Sequence, residues 1–386
     1  MNEQIVRIRG IDPLLFRDGR PFSNEPGAFN ARTLATPWPG TIAGFLRTRI
    51  GNKEPGEWEW NQDKANKMRK IEIAGPILKL NNSLVFHAPA DALIYKDKSD
   101  NPKVMCLRPR KDAMRATDIP DGIQPLDIKE DVKPETDYNF WESQDMEEWL
   151  LYPSGDNFSV PQNTVRGLPR EERVHVEISD EMGTSQEGRL FSAQFLSFEK
   201  HKWEQFQKKQ KDKWSLIAKV NSENGNPIGV GQLGGENRSA AVEAGEESDW
   251  PACPEELKTT FSSANRVKMI LATPAIFAGG WKPGWLDGYS NELPPALKGC
   301  KLKLIAAAVK RREPVSGWDY LHKQPKPVQW MVPAGSVYFF EIEGSPGFPV
   351  DQAWLQPVSD NPLDRADGFG LALWGIWNYN KQGDAL

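Results

Sequence analysis

The sequence predicts an α+β protein of two domains, and three observations carry that expectation. Its 386 residues exceed the size at which a single hydrophobic core comfortably grows. Its segments switch between the two-residue period of half-buried strands and the 3–4-residue spacing of amphipathic helices. Its 32 glycines and 31 prolines break these segments into short elements joined by long loops.

The elements follow in order. Residues 4–9 place Val6 and Ile8 on one face and Arg7 and Arg9 on the other, a first strand. The loop LLFRDGRPF leads into TLATPWPGTIAGFLRTRI, where Thr41 is the expected cap and Ile42, Phe45, Leu46 and Ile50 recur at helical spacing. Residues 71–80 and 83–87 are β-type runs separated by Asn81 and Asn82, as in a tight hairpin. The polar stretch 91–138 has little periodicity and reads as an insertion; Phe140, Met146, Trp149 and Leu150 then mark a short amphipathic helix. Strand, helix, hairpin, helix is a ferredoxin-like order.

Residues 173–179 alternate strictly, with Val174, Val176 and Ile178 on one side and Arg173, His175 and Glu177 on the other. The glycine-containing DEMGTSQEG joins them to RLFSAQFLSFE, so 173–198 reads as a long hairpin at a domain junction near residue 180. The expected domains are therefore 1–180 and 181–386. In the second, strands are expected near 190–198, 216–220, 267–277, 302–309 and 337–342, with a basic helical segment near 202–213. The terminal DGFGLALWGIW suits a buried strand or helix.

Composition excludes several function classes. A net charge of -5 and a pI near 5.6 argue against a protein that holds polyanions by an overall positive field, though local basic faces remain open to it. Cys106, Cys253 and Cys300 are far apart and lack the CxxC spacing of a zinc site, so no metal is expected and a reduced compartment fits. The opening MNEQIVRIRG lacks a signal peptide's apolar stretch and no run of eighteen apolar residues occurs, so a cytoplasmic protein is expected. The 15 tryptophans are assigned to core and interface before base stacking. The histidines are His87, His175, His201 and His322; no HExxH or GxSxG pattern accompanies them, so no catalytic set is assembled.

Two segments carry the binding chemistry. NTVRGLPREERVHVEIS brings Arg166, Arg170, Arg173 and His175 into ten residues. Guanidinium forks bind phosphates and their planes stack on unpaired bases, while Glu171 and Glu172 offer the alternative of a salt-bridged surface. GVGQLGGENR packs four glycines and Arg238 into ten residues, either a loop whose amides meet phosphate oxygens or an ordinary β-turn. It fits neither a Walker loop nor a dinucleotide fingerprint, so no nucleotide cofactor is expected. Metal-independent RNA cleavage would need a general base, for which His175 among arginines is the candidate, with Asp18 a minor option.

Five motifs in order, LLFRDGRPF, PWPGTIAGFLRTR, REERVHVEIS with EGRLF, LGGENR and GFGLALWG, resemble subunit three of the Cmr complex, a RAMP-superfamily family of type III-B CRISPR systems. The resemblance runs from about residue 12 to residue 377. It implies two ferredoxin-like, RRM-like domains with insertions, a thumb-like β-hairpin and glycine-rich loops facing a guide RNA. It implies a non-catalytic subunit that holds the 5' tag of the crRNA and touches the large polymerase-like subunit and a backbone RAMP subunit; the alternative is a RAMP-type endoribonuclease that matures guide RNA. Carried onto this sequence, the tag contacts fall on Arg17, Arg20, Arg47, Arg166, Arg170, Arg173 and His175. Gly234, Gly235 and Arg238, with Gly368 and Gly370, supply further backbone and side-chain donors. The net acidity departs from a simple RNA holder and is reconciled if acidic patches face basic partner surfaces.

Overall fold

The computed structural model describes residues 2–18, 30–52, 61–110, 119–128, 130–151, 158–200, 212–222, 225–286, 292–319, 322–344 and 347–378. Arg20, His201 and most of the expected basic helix at 202–213 lie outside them. The chain forms two compact units, both discontinuous in sequence. One comprises Met1–Asn82, Gly167–Trp250 and Pro314–Val328; the other comprises Ser83–Arg166, Pro251–Glu313 and Gln329–Leu386. A single division near residue 180 is thus not what organises the packing, and the hairpin expected at a junction lies wholly within the first unit.

The sheet of the first unit contains β1 (Asn2–Gly10), and β2 (Asn30–Ala31) belongs to a separate small sheet. Two helices follow, α1 (Pro39–Gly51) and α2 (Gln62–Arg69), and then β3 (Glu72–Leu80). After the excursion into the second unit come β4 (Arg170–Ile178), β5 (Ser185–Leu196), β6 (Asp212–Ser222), β7 (Gly229–Gln232) and β8 (Ser239–Ala244). The main sheet runs β7-β8-β1-β6-β3 with every neighbour antiparallel. Val6 and Ile8 of β1 are fully buried beside Leu216, Ile217 and Ala218 of β6. Counting β1, β3, β6 and β8 as strands one to four, their order across the sheet is 4-1-3-2.

The helix α1 begins at Pro39, not at the expected Thr41 cap, and Trp38 precedes it without a side-chain cap. Proline suits this first position because its missing N–H would have had no intrahelical partner and its φ is already helical. The spacing of Ile42, Phe45, Leu46 and Ile50 buries all four, and α1 packs against β3 and α2.

The second unit is built on strands Arg266–Leu271, Leu302–Ala308, Val337–Ile342 and Leu371–Ile376. Numbered one to four, these also lie in the order 2-3-1-4, the same arrangement read from the other edge. The helix Ser143–Leu151 packs on the fourth strand, where Gly375 lets the backbones close: a Cβ there would stand 2.8 Å from the Leu150 carbonyl oxygen. Phe140, expected in that helix, is in the strand Phe140–Glu142 that precedes it. The segment 91–138, expected as an irregular insertion, contains an antiparallel hairpin of Ala92–Lys96 and Pro102–Cys106. Trp141, Trp149, Trp374 and Trp377 are among the largest fully buried side chains, so these tryptophans serve the core. Among the described residues no helix is long and apolar enough to cross a membrane.

Candidate nucleic-acid interface

Three of the motifs singled out in the sequence meet in the first unit. Leu14 and Leu196 exchange backbone hydrogen bonds of 2.9 and 2.7 Å, which joins LLFRDGRPF to the end of β5. One residue on, the Gly235 N–H donates to the Leu15 carbonyl at 2.8 Å, which joins the same segment to LGGENR. Parallel pairing of Ser192 with Asn30 and Ala193 with Ala31 closes the arrangement, and Leu15, Ala31, Ala193 and Phe195 form its buried floor.

The β4–β5 register decides which side chains share a face. Arg173 lies opposite Ala193, His175 opposite Phe191, and Glu171 opposite Phe195; directly opposed residues of an antiparallel pair project to the same side. The His175 ring stacks on Phe191 with centroids 5.2 Å apart and planes inclined by 13°. Arg173 stands 5.5 Å from the centroid of Phe195, its Nε donating to Glu171 at 2.7 Å. Arg238, from the loop between β7 and β8, approaches the same ring at 4.7 Å. Two guanidinium groups from separate segments therefore converge on one phenylalanine, with a half-buried imidazole alongside. A cation over an aromatic face gains electrostatically, which helps to hold both guanidinium groups at the ring. Among the described residues the buried Arg238 Nε has no hydrogen-bond partner, and an unsatisfied buried donor is costly unless an acceptor arrives.

The turn that delivers Arg238 explains the glycines. Glu236 and Asn237 have φ of 61° and 51°, the type I′ geometry of a tight hairpin, and the Leu233 N–H donates to the Arg238 carbonyl at 2.8 Å. Gly234 has φ +81°, and a Cβ there would lie 2.4 Å from the Leu15 carbonyl oxygen. Its role is close approach to the protein's own chain, and the Gly235 amide, already bound to Leu15, is not a free donor for a phosphate. Gly234→Ala should destabilise the first unit by about 2 kcal/mol or more, from a left-handed backbone and a backbone clash together. Hydrogen exchange of the Ser239–Ala244 amides checks this, and protection equal to the wild type would contradict it.

The remaining candidates divide. Arg17 is exposed beside this face, its backbone bridged to Thr33. Arg170 is exposed but projects from the opposite side of β4 to Arg173 and His175. Arg166 belongs to the second unit and pairs with Asp137 at 2.6 Å. Arg47 is buried, with Nε and Nη2 donating to the Ile71 carbonyl at 3.0 and 2.7 Å; it fastens α1 to the start of β3. Gly368 and Gly370 are buried in the second unit, and their N–H groups donate to Arg365 and Pro274. A Cβ on Gly370 would stand 2.7 Å from Ser359 Oγ, so packing accounts for a glycine there, and both amides are bonded within the chain. Phe191 and Phe195 were not singled out in the sequence; the alternation Phe191, Ala193, Phe195 opposite Arg173 and His175 was the available signal.

Elsewhere, His87 is pushed down to about 3 by burial and by nearby Lys310 and so stays neutral, tilted against Phe140. His322 is bonded to Asp319 at 3.0 Å. Among the described residues no group of three or more His, Cys, Asp or Glu could hold a metal ion.

The family model for a CRISPR-associated protein (Cas_Cmr3) matches residues 6–377. The chain belongs to the Cmr3 family. No curated protein matches it. Among solved structures it is similar to a chain of the type III-B Cmr-beta complex bound to cognate target RNA and AMPPnP in state 1, with 16% identity and a TM-score of 0.47, covering 87% of this chain and 86% of that one. The same complex bound to cognate target RNA alone gives 17% identity, a TM-score of 0.47 and the same coverages. A chain of the Csm3-Csm4 subcomplex of the type III-A interference complex gives 9% identity and a TM-score of 0.33, covering 89% and 94%. As a Cmr3-family protein the chain has mixed helices and antiparallel sheets, with Arg173, His175 and Arg238 gathered on one half-buried aromatic face.

Proposed function

We propose that this Cmr3-family chain is a non-catalytic guide-RNA-binding subunit of a type III-B CRISPR effector complex. It holds the 5' tag of the crRNA and contacts the large polymerase-like subunit and a backbone RAMP subunit. The fold is read as two ferredoxin-like domains, supported by a 4-1-3-2 strand order in each unit, and β4–β5 is the thumb-like hairpin.

One observation carries the RNA assignment: Arg173 and Arg238 converge on the ring of Phe195 with His175 stacked on Phe191. Flat guanidinium and imidazole planes bind single-stranded RNA by stacking on unpaired bases, while their N–H groups take phosphate oxygens. This is local chemistry and needs no overall positive charge, which suits a chain of net charge -5.

The test is retention of an RNA carrying the 5' tag. Arg173→Ala with Arg238→Ala should weaken binding about 100-fold and lower the salt slope by about one for each phosphate that is no longer neutralised. Arg238→Lys keeps the charge without the planar fork and should fall between the two. Binding by the double variant equal to the wild type overturns the site.

Cleavage of guide RNA is the second reading, favoured by the place of His175 within this same face. It requires a metal-free product from repeat RNA that His175→Ala abolishes; intact RNA after incubation removes it.

A further inference from the structure

The two guanidinium groups that converge on Phe195 are not electrically equivalent. Arg173 donates from Nε to Glu171 at 2.7 Å, and Glu171 lies opposite Phe195 in the β4–β5 register. The carboxylate thus shares the face on which Arg173, His175 and Arg238 gather, where it repels the phosphates that arginines attract. Glu172, one residue on, projects from the other side of β4. Glu177 is exposed, beyond the register irregularity between Val176 and Ile178. Arg238, on the same ring, has no carboxylate partner among the described residues.

Glu171 does two things to Arg173. By accepting from Nε it fixes the rotation of the guanidinium, and Nη1 and Nη2, which bond nothing among the described residues, remain to donate elsewhere. By its charge it meets that of Arg173 within the protein, so the pair is close to neutral before RNA arrives. A planar group so held suits a base, which is itself uncharged and offers a face for stacking and an edge for hydrogen bonds. Arg238 is the reverse. Its charge is unmet and its buried Nε has no acceptor among the described residues, which suits the charge-assisted bonds of a phosphate oxygen. The side chains of Glu171 and Arg173 are 40% and 37% exposed, so RNA can reach the pair while the hairpin stays folded.

We infer that Glu171 is a positioning residue that divides the work of the two arginines: by cancelling the charge of Arg173 it assigns that side chain to an RNA base and leaves the phosphate to Arg238. This rests on the RNA reading of the face and goes beyond it, because it says which arginine contributes to the salt dependence of binding and which does not.

The experiment measures the affinity of the full-length chain for the tagged RNA between about 50 and about 200 mM salt. Arg238→Ala should lower the slope of log affinity against log salt by about one. Arg173→Ala should weaken binding about tenfold and leave the slope at the wild-type value, because the loss is of stacking and hydrogen bonds. Glu171→Gln keeps an oxygen to accept from the Arg173 Nε and removes the charge; it should tighten binding and steepen the slope by about one. Arg173→Ala added to Glu171→Gln should return the slope to the wild-type value. Near-ultraviolet circular dichroism verifies the fold of each variant, and Arg173→Gln, which keeps part of the stem, replaces the alanine variant should that one unfold. Equal losses of slope in Arg173→Ala and Arg238→Ala, or an unchanged slope in Glu171→Gln, overturn the inference. Weaker binding in Glu171→Gln, the result for a carboxylate that only holds the hairpin together, overturns it as well. The RNA reading fails differently: the Arg173/Arg238 double variant then binds as the wild type does, whereas failure of this inference alone leaves that variant defective and only the slopes of the single variants wrong.

Discussion

Replacing Asp91 by Ala should destabilise the second unit by about 3–5 kcal/mol, the cost of stranding one member of a buried ion pair. Asp91 is fully buried and Lys268, on the strand Arg266–Leu271, is 1% exposed. The Lys268 ammonium donates to one carboxylate oxygen at 3.1 Å, and the Trp149 indole donates to the other at 2.8 Å. The ammonium also stands 4.7 Å over the Trp149 ring. Removing the carboxylate leaves a charged group in the core and an indole N–H without an acceptor. Hydrogen exchange across Arg266–Leu271 assigns the loss to this unit, which a global melt of a two-unit protein does not do cleanly. Adding Lys268→Met to Asp91→Ala should recover much of the stability, because a pair replaced by apolar groups is close to neutral where a broken pair is not. A single variant as stable as the wild type would show that Lys268 finds water or another partner.

Period and spacing made local structure legible and left its orientation open. The strands at Asn2–Gly10 and Val337–Ile342 and the helix over Ile42 to Ile50 were readable because apolar repeats report local conformation directly. The grouping into units was not: the strands expected at 71–80 and 83–87, with a tight turn between them, form at Glu72–Leu80 and Ser83–His87, but one unit's first segment ends at Asn82 and the other's begins at Ser83, and no local pattern encodes which distant segment completes a core. Alternation in 173–179 gave two faces without saying which is inside. Ala193 and Phe195 on the neighbouring strand decide that: both are buried, and Arg173 and His175 on their side are half-buried, while Val174 and Val176 on the other are exposed.

The candidate site was legible in part for a related reason. A glycine has the same letter whether the backbone nears a ligand or its own chain, and Gly234, Gly368 and Gly370 prove to serve the chain itself. An arginine likewise does not announce its partner: Arg47 is spent on the Ile71 carbonyl, whereas Arg238 is brought over Phe195. What the ordered motifs did convey is convergence, since LLFRDGRPF, the β4–β5 hairpin and LGGENR are bonded to one another in the folded unit.

The first unit has its own buried carboxylate, and Asp249→Ala should cost it about 3 kcal/mol. Asp249 is 1% exposed and accepts from Lys79 of β3, from Arg7 of β1 at 2.8 Å and from the Glu246 N–H at 3.1 Å. It thus ties the first and second strands of the 4-1-3-2 set to the segment that follows the fourth. The loss falls at the lower end of the range for a broken buried pair, because the Arg7 side chain is about a third exposed and can turn to water while Lys79 cannot so readily. Burial by itself would raise the Asp249 carboxyl, but the bonds from Lys79, Glu246 and Arg7 outweigh it and hold the group below its ordinary value. A carboxylate lowered in the folded state stabilises fully above the unfolded value of about 4 and loses that contribution as pH falls through the folded value. The stability gap between wild type and Asp249→Ala should therefore be constant from neutral pH to about pH 5 and close below it. Urea unfolding followed across that range measures the gap, and one that stayed constant into strong acid would place the stabilisation in packing instead of in the ionised carboxylate.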